Sequence, residues 1–187
     1  MSRLSRGDHA PAFQINDVSG NSVDLTALRG SAVFLSFFRN AECALCNLRV
    51  QQLIARHDEL ARAGVRVIAV FESSGDDIRQ HVGQQNAPFP IIPDPGARLY
   101  DAYGVECSED GVATTMELPG TPHMVADAVA AGFPLIQQPG SNFFRMPADF
   151  LIDASGIVVN AHYAEYVWDH TPLASIPELL SVVGLTR

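Results

Sequence analysis

Apolar positions along the chain fall into short unbroken runs separated by one long stretch of helical spacing. Residues 31–38, "SAVFLSFF", form an apolar run of strand length after the Arg29-Gly30 break, and such a run reads as a buried strand. From Cys43 to Ala63 the apolar residues Leu45, Leu48, Val50, Leu53, Ile54, Leu60 and Ala61 recur near the helical period. Gly64 follows where a helix end favours glycine, so one long helix packed on one face is expected. "VRVIAVF", residues 65–71, is a second buried strand reached through that helix. A strand–helix–strand crossover normally makes its strands parallel, so the centre of the chain reads as a βαβ unit.

The flanks are less regular. Ser74 with Asp76 and Asp77 suits a helix start, and Ile78 and Val82 continue it until "APFPIIPDP" breaks the pattern and supplies a short strand. "GARLYDAYGV", residues 96–105, puts Leu99, Ala102 and Tyr103 on one helical face. Residues 106–144 are the least patterned, with a helix-compatible "MVADAVAAGF" inside them, and read as an insertion lying over the core. "ADFLID" and "IVVNAHYA" flank the turn "ASG" as an antiparallel pair, and a last helix is expected over roughly 173–183. No repeat or linker divides the chain, so residues 1–187 are read as one domain.

Composition narrows the function. With 47% hydrophobic and 18% charged residues in 187, the chain can bury a substantial core. A formal charge of -9 and dispersed basic residues argue against nucleic acid as a partner. No window reaches the roughly 18 apolar residues of a membrane span, and the N-terminus lacks the apolar core of a secretory signal. A cytoplasmic home without a membrane partner is expected. Three cysteines, an odd number, argue against a disulfide framework and for thiol chemistry.

Cys43 and Cys46 are the place for that chemistry. At the start of a helix, unpaired backbone N–H groups and the positive end of the dipole favour thiolate over thiol. Spacing of i, i+3 puts both sulfurs on one side of the first turn, within reach of a reversible disulfide. Arg39 adds positive charge near the pair, whereas Glu42 opposes it. Cys-x-x-Cys beside a βαβ pattern is a thioredoxin-like redox signature. Core filling and a zinc site completed by Cys107 and His123 are the weaker alternatives, since no second ligand pair has metal spacing. A lone loop cysteine such as Cys107 is more often incidental. Ser36, Ser73 and Ser74 have no visible base partner, which excludes a serine hydrolase.

The stretch "VFLSFFRNAECALCNLRVQQL" resembles the active-site strand, loop and helix of the peroxiredoxin-like branch of the AhpC/TSA redoxin family, within the thioredoxin superfamily. "GDHAPAFQINDVSGNSVDLTALRGSAVFLSFF" is similar to that family's start, and "RMPADFLIDASGIVVNAHY" to its late strand, turn and strand. The resemblance implies an α/β, thioredoxin-like fold: a central mixed sheet flanked by helices on both faces, with an N-terminal extension and the 106–144 insertion before the late hairpin. It also implies a cis proline facing the cysteines, at Pro147, so the expected catalytic set is Cys43, Cys46, Arg39 and Pro147.

The chain departs from the family at informative positions. Aligning Cys46 with the family's peroxidatic cysteine in Pro-x-x-x-Thr/Ser-x-x-Cys puts Cys43 at the Thr/Ser position and Arg39 at the proline. The family's usual active-site arginine falls near Pro147, and Arg145 replaces it only if its side chain turns inward. Glu42 stands where thioredoxins carry tryptophan.

Two cycles remain open. Cys43 attacks a disulfide and Cys46 resolves it, or Cys46 attacks a peroxide and Cys43 condenses with the sulfenic acid. Either way the expected activity is thiol-dependent reduction of peroxides or disulfides. Electrons would come from a thioredoxin-like protein or a small thiol, with no bound cofactor or metal, and a homodimer fits the relatives. The rival reading is a non-enzymatic redox sensor or interaction module switched by the same disulfide.

Overall fold

The computed structural model describes residues 2–136 and 139–181. A small hairpin of β1 (Gln14–Asn16) and β2 (Ser22–Asp24) opens the chain. Five strands then build the central sheet: β3 (Ala32–Phe37), β4 (Val65–Phe71), β5 (Ile91–Pro93), β6 (Ala148–Ile152) and β7 (Val158–Tyr163). Their order is β5-β4-β3-β6-β7. The β3/β4 and β4/β5 pairs are parallel, and β6 and β7 join antiparallel, so the sheet is mixed as the resemblance implied.

The βαβ unit forms as the apolar pattern required. Helix α1 (Ala44–Arg62) connects β3 to β4 and ends before Gly64, whose φ of 75° is the left-handed value that a side chain resists. Strand β3 is buried at every position because both faces are covered. On one face Phe34 packs with Val50, Leu53 and Leu60 of α1; on the other, Val33, Leu35 and Phe37 pack with the Leu99, Tyr100 and Tyr103 region that contains α3 (Arg98–Ala102). Alternation along β3 therefore assigns neighbouring residues to opposite cores.

The short helix α2 (Gly75–Gln80) starts at Ser74, whose hydroxyl accepts the Asp77 N–H at 3.1 Å. Near the C-terminus α6 (Ile176–Ser181) buries Ile176 and Leu180, and the remainder of the helix expected to 183 lies outside the described residues.

The described residues of the 106–144 segment contain two helices where the sequence pattern showed only one. Helix α4 (Glu109–Glu117) is capped by Ser108, whose hydroxyl accepts the Gly111 N–H at 2.9 Å. It buries only Gly111, Val112 and Thr115, too little apolar content to register as a helical stripe. Helix α5 (Thr121–Ala130) packs Met124 and Ala128 against Ala44 and Leu48 in the first turns of α1. Helix α5 thus forms a wall beside the end of α1 that carries the cysteines.

One expectation is corrected. Among the described residues there is no cis peptide bond, so Pro147 enters through a trans bond. It stands one residue before β6, where a missing N–H costs no ladder bond, and its carbonyl accepts the Ala164 N–H at 3.2 Å.

Candidate active site

The cysteines are placed by a loop that leaves the sheet while still tied to it. Phe38 N–H donates to the Val70 carbonyl at 2.9 Å, and the Arg39 carbonyl accepts Glu72 N–H at 3.0 Å, so the β3 and β4 ends stay in step. Beyond that, Ala41 N–H donates to the Ser73 hydroxyl at 2.9 Å. The Asn47 side-chain amide donates to the carbonyls of Ala41 at 2.8 Å and Cys43 at 3.0 Å, and Gln85 Nε2 holds Asn47 Oδ1 at 3.0 Å. Asparagine is a poor helix former, and this clamp explains its presence in the first turn.

Cys43 is the N-cap of α1 and Cys46 lies in its first turn. The Cys43 sulfur accepts the Cys46 backbone N–H at 3.4 Å and lies 3.9 Å from Arg39 Nη1. Both thiols are free and buried. The hydrogen bond from the Cys46 thiol, the Arg39 charge and the Cys46 backbone N–H together outweigh burial, and lower Cys43 to about 6. Burial pushes Cys46 well up, and its hydrogen bond to Cys43 and the Cys43 charge push the same way. One proton is therefore shared unequally: a thiolate at Cys43, stabilised by a thiol at Cys46.

Arg39 is aimed by the 143–145 segment. Its Nε donates to the Arg145 carbonyl at 3.1 Å, its Nη2 donates to the Phe143 carbonyl, and its guanidinium lies 5.1 Å from the Phe143 ring centroid. The Arg145 side chain has its own set of partners. Its Nε pairs with Glu72 at 2.6 Å, its Nη1 donates to the Val105 carbonyl at 2.6 Å, and its guanidinium covers Tyr100 at 4.7 Å. Arg145 thus fixes the segment whose carbonyls hold Arg39.

A cleft of about 330 Å3 opens over Cys43, lined by Arg39, Glu42, Leu45, Ile136 and Phe143 among others. Cys46, 1% exposed, is not part of its lining. Leu135, Ile136, Phe143 and Phe144 stand exposed at 66%, 45%, 39% and 40%, which gives this region an apolar rim. Pro147 lies elsewhere, lining a separate pocket with Glu106 and Cys107. Cys107 is exposed, and its sulfur is 3.1 Å from Asn142 Nδ2. Among the described residues no group of three or more His, Cys, Asp or Glu is arranged to hold a metal.

Between the sheet and α1 lies a buried charged network that sequence reasoning missed. Asp149 accepts the Ser36 hydroxyl at 2.5 Å and the Thr171 N–H at 2.7 Å, and lies 3.2 Å from His170 Nδ1 and 3.8 Å from Arg49 Nη2. Burial alone would raise its carboxyl. The charge and hydrogen bond of His170, then Arg49 and Ser36, win and hold it at about 2. An acid inside the apolar run "ADFLID" and a serine inside "SAVFLSFF" were the visible signals, since both strands are buried on both faces.

A dithiol opening the first long helix, set on a mixed five-stranded sheet with helices on both faces, places the chain among the thioredoxin-like folds. It belongs to the AhpC/TSA family, whose model matches residues 6–161. A thiol-disulfide oxidoreductase ResA of Halalkalibacterium halodurans is 31% identical over 100 residues, covering 53% of this chain and 56% of that protein. Peroxiredoxin Bcp of Escherichia coli is 28% identical over 105 residues, covering 56% of this chain and 67% of that protein. The aligned region thus spans little more than half of the first relative. Among solved structures, peroxidoxin BcpB of Mycobacterium tuberculosis superposes with a TM-score of 0.67 at 14% identity, covering 99% of this chain and 100% of that chain. Mycobacterium bovis AhpC superposes at 0.68 with 16% identity, covering 100% of this chain and 96% of that one. At such identities these two structures speak for the fold alone.

Proposed function

We propose that the protein is a thiol-dependent oxidoreductase in which Cys43 attacks and Cys46 resolves. One observation carries this reading: Cys43 caps α1 as the stabilised thiolate and lines the cleft, whereas Cys46 is buried behind it as a thiol. A disulfide substrate gives a Cys43 mixed disulfide, which Cys46 displaces to leave Cys43–Cys46 and a reduced product. A peroxide enters the same cycle: Cys43 takes one oxygen as sulfenic acid and releases an alcohol or water. Condensation with Cys46 then expels water. Two external thiols return the pair to the dithiol and leave as a disulfide.

The family includes relatives named for both kinds of substrate. The apolar rim beside the cleft suits a protein partner such as a thioredoxin-like donor, and a small thiol would enter the cleft itself. A cytoplasmic setting, supported by the odd cysteine count, and a homodimer, supported by the family resemblance, belong to the same proposal.

The test is turnover with a thiol donor, combined with trapping. Cys46→Ser should accumulate a mixed disulfide on Cys43, and Cys43→Ser should consume neither disulfide nor peroxide. Turnover that survives in Cys43→Ser would overturn the order of attack. Oxidation to a disulfide without sustained consumption of either substrate would favour a sensor.

A further inference from the structure

Glu42 is the charged group near the cleft that the proposed cycle leaves without a task. It directly precedes Cys43, is 4% exposed, and its Oε1 is buried without a hydrogen-bond partner among the described residues. A carboxyl oxygen buried without a donor is costly, so it calls for an explanation. Arg39 does not supply it, since that guanidinium is committed to the carbonyls of Arg145 and Phe143 and to the Cys43 sulfur.

Position tells what the missing donor is. Glu42 lines the Cys43 cleft and also the two clefts adjoining it, one with Gln84 and Phe133, the other with Ser74 and Asn142. It is the point at which the three meet, one residue from the attacking sulfur. The other acids at this junction are occupied: Glu72 by Arg145, Asp77 by the Ser74 hydroxyl. Apolar walls at Leu45, Ile136 and Phe143 reduce screening, which strengthens the attraction of a carboxylate for a cation.

We propose that Glu42 selects substrates: the cleft takes disulfides that carry an ammonium group close to their sulfurs, and Glu42 binds that ammonium while Cys43 attacks. The inference rests on Cys43 as the attacking thiolate. The bond formed joins Cys43 to one substrate sulfur, and the substrate's S–S bond breaks. The other half leaves as a thiolate that takes a proton from water. Cys46 loses its proton to water and displaces the bound half, so the substrate gains two electrons and the dithiol loses two.

Exchange rates with three small disulfides test this: cystamine, which is cationic, bis(2-hydroxyethyl) disulfide, which is neutral, and dithiodiglycolate, which is anionic. Each rate is divided by that probe's rate with free cysteine, in about 0.15 M salt. The wild type should prefer cystamine over the neutral probe by about tenfold, the scale of one charged hydrogen bond. Glu42→Gln, which keeps the shape and loses the charge, should abolish most of that preference. Asp58→Asn, an exposed acid 15 positions past Cys43 and so about 22 Å up α1, should keep it. A ratio is insensitive to changes in how readily Cys43 ionises, because those affect all probes alike. Equal preference in wild type and Glu42→Gln overturns the selection by Glu42 and leaves the cycle standing. Failure of all three probes to oxidise the dithiol overturns the selection of disulfides, and failure of hydrogen peroxide as well overturns the cycle.

Discussion

Arg145 and Glu72 form a nearly buried ion pair at 2.6 Å, and through it the 143–145 segment is locked to the end of β4. The Arg145 carbonyl in turn accepts Arg39 Nε, so the pair lies one step behind the cation that faces Cys43. Glu72→Gln leaves the guanidinium buried and unmatched, and should destabilise the fold by about 3 kcal/mol in denaturant unfolding. It should also loosen the Arg39 support and raise the pH at which Cys43 ionises. A stability loss with no change in Cys43 ionisation would separate the two residues.

The charge of Arg39 should be readable directly. Arg39→Ala removes a cation 3.9 Å from the sulfur, and the Cys43 midpoint should climb by about one pH unit from its value near 6. At pH 6 the thiolate fraction then falls about fivefold, and at pH 7 only about twofold. Alkylation by iodoacetamide across this range reports both figures. A uniform drop at every pH would mean altered access instead.

The strongest influence lowering Cys43 is the hydrogen bond from Cys46, and the two substitutions of Cys46 should therefore differ. A serine hydroxyl can still donate to the Cys43 sulfur; alanine cannot. Cys46→Ala should move the Cys43 midpoint up further than Cys46→Ser does, as followed by thiolate absorbance. Equal midpoints in the two variants would remove that hydrogen bond from the account.

Asp149 should make the fold sensitive to acid. A carboxyl held at about 2 in the folded chain binds its proton less readily than in the unfolded one, so its contribution is complete above about pH 4 and fades as pH falls through 2. The shift corresponds to about 2 kcal/mol. Asp149→Asn should cost about 3 kcal/mol at pH 7, because the buried Arg49 guanidinium loses its counter-charge. The variant should also show a flatter loss of stability below pH 4, measured by urea midpoints.

Much of this was legible in the sequence because the informative residues are local. The "SAVFLSFF" and "VRVIAVF" runs and the helix between them fold as their periods require, and Cys43 and Cys46 share one turn because three residues separate them. What was not legible depends on distant partners. Whether Arg145 turned toward Cys43 or toward Glu72, 73 positions earlier, was a question of tertiary packing. The ranking of the two thiols was open for the same reason, since it depends on their burial in the core and on the Arg39 charge that the 143–145 segment holds in place. Helix α4 escaped notice because its buried face is mostly Gly and Thr, and Pro147 took a trans bond that no local pattern distinguishes from a cis one.

The most direct test maps which sulfur of the reduced protein takes a single equivalent of iodoacetamide, as a function of pH, by peptide mass. Cys43 should carry the label, with a rate that rises through a midpoint near pH 6 and levels off by about pH 8. Labelling that falls first on Cys46, or a Cys43 midpoint at or above that of an ordinary thiol near 8.5, would contradict the assignment of Cys43 as the attacking thiolate.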